Sequence, residues 1–178
     1  ASGGELNDGG TFVGDPPEHI DPALNSTLDA YQVINAVYDG LTEIDASDPA
    51  NPQIVPLVAD EVTPNDDASV WTFHIREGAQ FADGEEINAS TFVNSWERAA
   101  DLAGDYSYLI TFIDGGTERL DGSADTISGI EADDDSRTLT VTLDAPYSNF
   151  DAVAGFQLFM PVPEAAIAAG AEWENEVM

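Results

Sequence analysis

Residues 71–99 read WTFHIREGAQFADGEEINASTFVNSWERA, which is a strand, a pair of turns and a helix in succession. With Val70 ahead of it the run alternates: Val70, Thr72 and His74 fall on one face, Trp71, Phe73 and Ile75 on the other. That is the pattern of a half-buried strand. Gly78 and Asp83-Gly84 then mark turns. Asn88 or Ser90 can supply the N-cap of a helix that lines up Phe92, Val93, Trp96 and Ala100 along one side. The spacing assigns Trp71, Phe73 and Trp96 to the core.

Upstream, residues 45–69 read DASDPANPQIVPLVADEVTPNDDAS, with four prolines and no long period. A loop-rich stretch is expected, with a turn at Asp66-Asp67. Before it, Leu28, Tyr31, Ile34, Val37, Tyr38 and Leu41 recur three or four apart, which predicts a helix. Ser26 or Thr27 can cap it, Asp29 favours its positive end, and Gly40 offers a left-handed stop. Pro16, Pro17 and Asp21-Pro22 enforce extended geometry, and Thr11–Val13 predicts a short strand. The first ten residues, ASGGELNDGG, read as a flexible tether. They carry no hydrophobic leader, so the expectation is a mature exported chain whose signal has been removed.

Downstream, Tyr106–Ile113 predicts a third helical piece. Residues 127–132 and 137–143 flank Asp133-Asp134-Asp135-Ser136, a hairpin with a polar tip. Pro146 ends it, and Glu164–Ala169 predicts a short helix after Pro161-Val162-Pro163. No internal repeat is present. Helices mixed with antiparallel strands imply an α+β or mixed α/β layered fold.

The chain has 178 residues and a mass of 18.9 kDa, room for one ordinary domain or two small ones. With 43% hydrophobic residues it can build a packed core. No apolar run approaches the roughly 20 residues of a membrane span. Cysteine is absent, so these residues hold no disulfide, thiolate metal site or thiol nucleophile. Asp and Glu number 35 against 4 Lys and Arg, a net charge of -31, and lysine is absent altogether. Phosphate backbones and anionic lipid headgroups would be repelled, which argues against a nucleic-acid or membrane-surface partner. The simplest account of the acidity is a solvated surface, with recruitment of cations or basic ligands second.

No catalytic machinery is legible. His19 and His74 are the only histidines; one sits in a Pro-rich loop and the other in an alternating strand, where a structural or partly exposed role is expected. Their positions lack metal-ligand spacing. The Asp133–Ser136 cluster lacks the ordered oxygen-ligand spacing of a calcium loop. Paired carboxylates for glycoside hydrolysis are uninformative among 35 acids. Gly9-Gly10 and Gly115-Gly116 lack a phosphate-loop pattern. Asn25-Ser26-Thr27 and Asn88-Ala89-Ser90 match a glycosylation pattern, but capping explains both. No catalytic residue, metal ligand or cofactor is therefore assigned, and binding is the default function.

Several linked segments carry a family resemblance. HIDPALNSTLDAYQVINAVYDGLTEID over 19–45 is followed by residues 54–99, then by ISGIEADDDSRTLTVTLDAPYSNF over 127–150 and PVPEAAI over 161–167. Together they resemble the extracytoplasmic solute-binding proteins of ABC importers, in the family (family 5) that takes oligopeptides, dipeptides, nickel and other solutes. The tightest match lies in residues 71–99, with Trp71, Phe73, Arg76, Gly78, Phe81, Asp83, Gly84 and Trp96 in family positions.

The resemblance implies a mixed α/β fold, the N-terminal part of a class II periplasmic-binding-protein-like architecture whose two lobes close on ligand. Residues 11–45 would start the main lobe, 46–146 would form its inserted small α+β domain, and 147–178 would return to the main lobe. Family chains are longer, so the second lobe is expected outside these residues. Exposed sheet edges and weak peptide binding are expected of this part alone. By resemblance, the segment after Asp21-Pro22 runs along bound peptide, which nominates Asn25, Ser26, Thr27 and Leu28. An aromatic of the inserted domain approaches ligand in some relatives, which nominates Tyr106 or Tyr108.

The implied function is noncatalytic capture of short peptides for an ABC permease. The location is extracytoplasmic, with a lipid anchor on a cysteine outside these residues. Nickel chelate, haem or sugar is the same-family alternative. An extracellular acid-based hydrolase and a surface adhesion module are the different-class ones.

Overall fold

A computed structural model describes residues 19–174. The tether expected over residues 1–10 and the strand expected at Thr11–Val13 lie outside the described residues. The elements in chain order are α1 (Leu28–Val37), β1 (Thr42–Asp45), β2 (Gln53–Pro56), β3 (Ala59–Pro64), β4 (Val70–Ile75), α2 (Ala89–Leu102), α3 (Gly116–Leu120), β5 (Ile130–Asp133), β6 (Thr138–Thr142), α4 (Phe150–Ala154) and α5 (Glu164–Ala169).

The alternating strand is where the sequence places it. β4 lies inside an antiparallel sheet of order β3-β4-β6-β5, in register Trp71↔Val141 and Phe73↔Leu139. Trp71, Phe73 and Ile75 are buried, while Val70, Thr72 and His74 are only half covered. With Leu139 and Val141 they join Phe92 and Trp96 of α2, and Phe150 and Phe159, in one core. Trp96 meets Phe159 edge-on at 4.9 Å and donates its indole N–H to the Phe159 carbonyl at 2.9 Å. Each such side chain removed from water contributes roughly 1.5–3 kcal/mol. They are the source of the sheet–helix packing.

Of the two possible caps for α2, Asn88 is the one used. Its Oδ1 accepts the Thr91 N–H at 3.2 Å, and the Thr91 hydroxyl accepts the Asn88 N–H at 3.1 Å. This reciprocal box satisfies two donors that the first turn leaves open. Ser90 instead donates its hydroxyl to Asn88 Oδ1 at 2.9 Å. At the far end Ala103 takes the left-handed conformation, φ 48.

Residues 45–69 depart from the expected loop. They hold β2, β3 and the end of β1, with β1 and β2 paired as a separate two-stranded antiparallel sheet from Thr42↔Pro56 to Asp45↔Gln53. Pro56 and Pro64 sit at strand ends, and β3 is an edge strand, so their missing N–H groups cost the ladder little.

Helix α1 also ends earlier than expected, with Tyr38 in extended geometry (φ -115, ψ 144). Gly40 is not left-handed. A Cβ there would lie 3.1 Å from the Gly155 carbonyl oxygen, so it serves a close backbone approach. Leu28 and Val37 face solvent, while Ala30 and Ile34 take the buried positions. The third helical piece is a 3-10 helix over Ser107–Phe112. The β5–β6 hairpin and α5 match their expectations. Helix α4 had no clear sequence signal.

Candidate functional site

The segment after Asp21-Pro22 is built on a buried turn. The Asp21 carbonyl accepts the Leu24 and Asn25 N–H groups at 3.1 and 3.0 Å, and its carboxylate accepts the Ala23 N–H at 2.9 Å. Arg98 of α2 grips that carboxylate, Nη1 to Oδ1 at 3.1 Å and Nη2 to Oδ2. It also donates to the carbonyls of Ala166 and Gly170 at 2.9 and 2.7 Å. The turn, α2 and α5 are thereby tied together.

Asn25 is 2% exposed and fully engaged. Its Oδ1 accepts the Thr27 N–H at 2.8 Å and the Thr27 hydroxyl at 3.1 Å. Its Nδ2 donates to Thr27 O at 3.1 Å and to Gln157 Oε1 at 3.0 Å. Gln157 Nε2 returns a bond to Asn25 O at 2.7 Å. Thr27 is the N-cap of α1, its Oγ1 accepting the Ala30 N–H at 3.3 Å. The side chains of Asn25 and Thr27 are thus spent within the fold, on each other, on the start of α1 and on Gln157.

Ser26 between them is exposed, and its backbone N–H and C=O have no partner among the described residues. The Leu28 N–H is likewise open, as first-turn donors are, and the residue is 73% exposed.

Tyr106 and Tyr108 approach the same region through other aromatics. Tyr106 meets Phe156 edge-on at 5.0 Å, and Phe156 stacks on Tyr31 of α1 at 6.1 Å. Tyr108 lies 6.5 Å from Tyr106 and is 57% exposed. The two groups nominated from sequence are therefore joined by an aromatic ledge, Tyr31–Phe156–Tyr106–Tyr108. Gly104 allows the approach: a Cβ there would stand 2.2 Å from Ala23 O. The ledge borders a cleft of about 290 Å³ whose walls include Asn35, Tyr38, Thr42 and Ile54.

Sequence reading missed Tyr31, Phe156 and Gln157 as site components. Tyr31 was visible only as a core position of a helix. Phe156 and Gln157 fall in a stretch without periodicity.

Burial, reinforced by the Asp21 charge and opposed by Arg98, pushes the Tyr38 phenol well above its ordinary pKa, so it stays protonated. The four arginines are committed: Arg76 to Leu57 O, Arg98 to Asp21, Arg119 to Glu97 and Asp101, and Arg137 to Glu77. His74 bonds Asp60 at 2.6 Å on the half-exposed strand face, and that bond holds the Asp60 carboxyl below its usual range. Among the described residues no group of three or more histidine, aspartate or glutamate side chains is placed to hold a metal ion. The arrangement offers hydrogen bonding and apolar contact.

Comparison with known proteins follows the same lines. The model of the bacterial extracellular solute-binding proteins, family 5 middle region, matches residues 53–177. The periplasmic murein peptide-binding protein MppA of Escherichia coli K12 is 32% identical over 166 residues, covering 90% of this chain and 30% of its own length. The periplasmic oligopeptide-binding protein OppA of the same organism is also 32% identical over 166 residues, with the same coverages. A probable deoxycholate-binding periplasmic protein, YgiS of E. coli K12, is 32% identical over 165 residues, covering 89% of this chain and 30% of its own length.

Among solved structures, that of the E. coli murein tripeptide-binding protein MppA superposes with a TM-score of 0.78 at 32% identity, over 90% of this chain and 31% of that one. Listeria monocytogenes OppA bound to peptide gives 0.76 at 29% identity, over 86% and 30%. This chain spans about 30% of the length of the curated relatives it matches.

Proposed function

Because this chain belongs to the bacterial extracellular solute-binding proteins of family 5, we propose that it is part of a noncatalytic receptor. It captures short peptides outside the cytoplasmic membrane and delivers them to an ABC permease. The observation that carries this reading is Ser26, an exposed residue whose N–H and C=O lack partners among the described residues, one turn of chain ahead of Tyr31 in the aromatic ledge. An extended peptide can exchange two backbone hydrogen bonds with one such residue, which gives affinity without reading side chains. The exposed faces of Leu28 and Tyr108 then take the apolar parts of peptide side chains. The relatives named for oligopeptides and murein peptides support the ligand class.

In this reading the small inserted domain comprises residues 46–146 and the main lobe lies on either side of it. Lobe closure selects the liganded state that the permease recognises. The receptor works without a cofactor and without turnover. It is held at the outer face of the membrane by a lipid anchor outside these residues.

The test is native mass spectrometry of the full-length parent chain, purified from its own host without refolding. A ladder of co-purified masses matching short peptides is expected. The relative named for deoxycholate supports a second reading, a single non-peptide solute. One discrete non-peptide mass would decide for it, as a nickel chelate, haem or sugar would.

A further inference from the structure

We infer that Gln157 is a positioning residue of the peptide site, an inference that rests on the peptide-receptor reading. It acts by fixing Ser26 from behind. Gln157 is 1% exposed, in a 3-10 turn over Gln157–Phe159 that follows α4. A buried primary amide is costly unless its donors and acceptors are met. Here the partners come from one residue, Asn25: Oε1 accepts from Asn25 Nδ2 at 3.0 Å, and Nε2 donates to Asn25 O at 2.7 Å. A core filler at this position would be apolar. The amide is required because the residue it faces presents a side-chain NH2 and a backbone carbonyl.

This reciprocal pair sets the orientation of everything ahead of α1. With its carbonyl and Nδ2 held by Gln157, Asn25 turns Oδ1 onto the Thr27 N–H and hydroxyl. The flanking residues of Ser26 are pinned, and Ser26 itself is exposed with its backbone N–H and C=O unpartnered among the described residues. The turn itself is closed by backbone bonds: the Phe159 and Met160 N–H groups bond the Phe156 and Gln157 carbonyls at 2.9 and 3.0 Å. Its preceding residue, Phe156, has extended geometry and sends its ring between Tyr31 and Tyr106. One short turn therefore supports the aromatic ledge with one side chain and the backbone-pairing segment with the next.

The experiment uses the full-length parent chain, its Gln157→Leu variant, and two probes, trialanine and trilysine. Leucine keeps the bulk and removes both hydrogen bonds. Affinity for the two peptides is expected to fall by the same factor, about tenfold, because the displaced group reads backbone. Thr27 amide exchange is expected to rise, and the thermal midpoint to stay above the assay temperature. Gln157→Met, which keeps the unbranched length and also removes both hydrogen bonds, is expected to lower both affinities by the same factor. It carries the same test should the leucine variant fail to fold.

Unchanged affinity for peptides that the parent binds overturns the inference, as does a loss confined to one peptide. If the parent binds neither peptide, the receptor reading for these probes fails instead. The exchange arm then decides, and unaltered Thr27 protection in the variant overturns the positioning role.

Discussion

Arg98 and Asp21, 77 residues apart, form an ion pair with side chains 4% and 0% exposed. Such a pair gives little net stability over an apolar replacement, but breaking it from one side strands a charge in a low-dielectric interior. Arg98→Leu should therefore destabilise the fold by about 3–5 kcal/mol, read as a lowered denaturation midpoint. Asp21→Asn should also be strongly destabilising: the amide keeps an acceptor for the Ala23 N–H, but it leaves the Arg98 guanidinium charged and turns an NH2 group toward it. Equal, small effects of both variants would argue against a buried pair.

Gly104 lets the loop carrying Tyr106 press against the turn carrying Ala23. A Cβ at 2.2 Å from Ala23 O cannot be accommodated without moving backbone. Gly104→Ala should cost about 1–3 kcal/mol as an overpacking change. It should also weaken peptide binding by the parent chain, since the two halves of the site are driven apart. Wild-type stability and affinity would show that the approach is looser than described.

Thr27 and Ser26 separate capping from ligand contact. Thr27→Ala should remove about 1 kcal/mol of stability with the loss of its side-chain cap, measured by urea denaturation. Ser26→Ala should change stability by less than about 0.5 kcal/mol and, on the peptide-receptor reading, leave peptide affinity intact, because that reading uses only the Ser26 backbone. A marked affinity loss in Ser26→Ala would mean that the hydroxyl takes part.

The parts of this fold written in local chemistry were legible. The alternation through Trp71, Phe73 and Ile75 needs no partner to be seen, and the cap of α2 was narrowed to Asn88 or Ser90 from the residues just ahead of Phe92. The strands within residues 45–69 were hidden because their pairing is decided elsewhere: β3 forms against β4, and Pro56 and Pro64 are tolerated only at ends and edges. The end of α1 was misjudged for a similar reason, since Gly40 answers to Gly155 across the fold and not to helix termination. Of the candidate site, Ser26 and Leu28 were nominated by resemblance. Phe156 and Gln157 were not, because their roles exist only once Asn25 and Tyr106 have been brought to them.

Glu174 provides a pH test. Burial raises its carboxyl, but bonds from His19 at 2.5 Å and from the Ile20 and Asp21 N–H groups outweigh this and leave it below its ordinary value. A carboxyl depressed in the folded state stabilises above its unfolded pKa and loses that contribution as pH falls through the folded one. Amide protection at Ile20 and Asp21 should accordingly be steady near neutrality and decline below about pH 4. Glu174→Gln should abolish the decline by lowering protection at every pH. A pH-independent wild type would count against the clasp.

Charge imbalance predicts a dependence on salt. The chain carries a net charge of -31, and its four arginines are already engaged, so the remaining carboxylates repel one another across the surface without local compensation. That repulsion acts over a Debye length of about 10 Å at 0.1 M salt and about 3 Å at 1 M, while the denatured chain spreads the same charge over a larger volume. Raising NaCl from about 0.05 to 1 M should relieve the folded state more than the unfolded one. The thermal midpoint should climb by about 2–4 °C for each kcal/mol relieved. KCl should act equally, since screening depends on ionic strength, and the gain should be steepest at low salt. Sucrose, which favours burial without screening charge, should reproduce neither the steep initial rise nor its flattening. A midpoint that stays level across the NaCl series would mean that the acidic surface is already neutralised, by bound cations or by carboxyls that remain protonated.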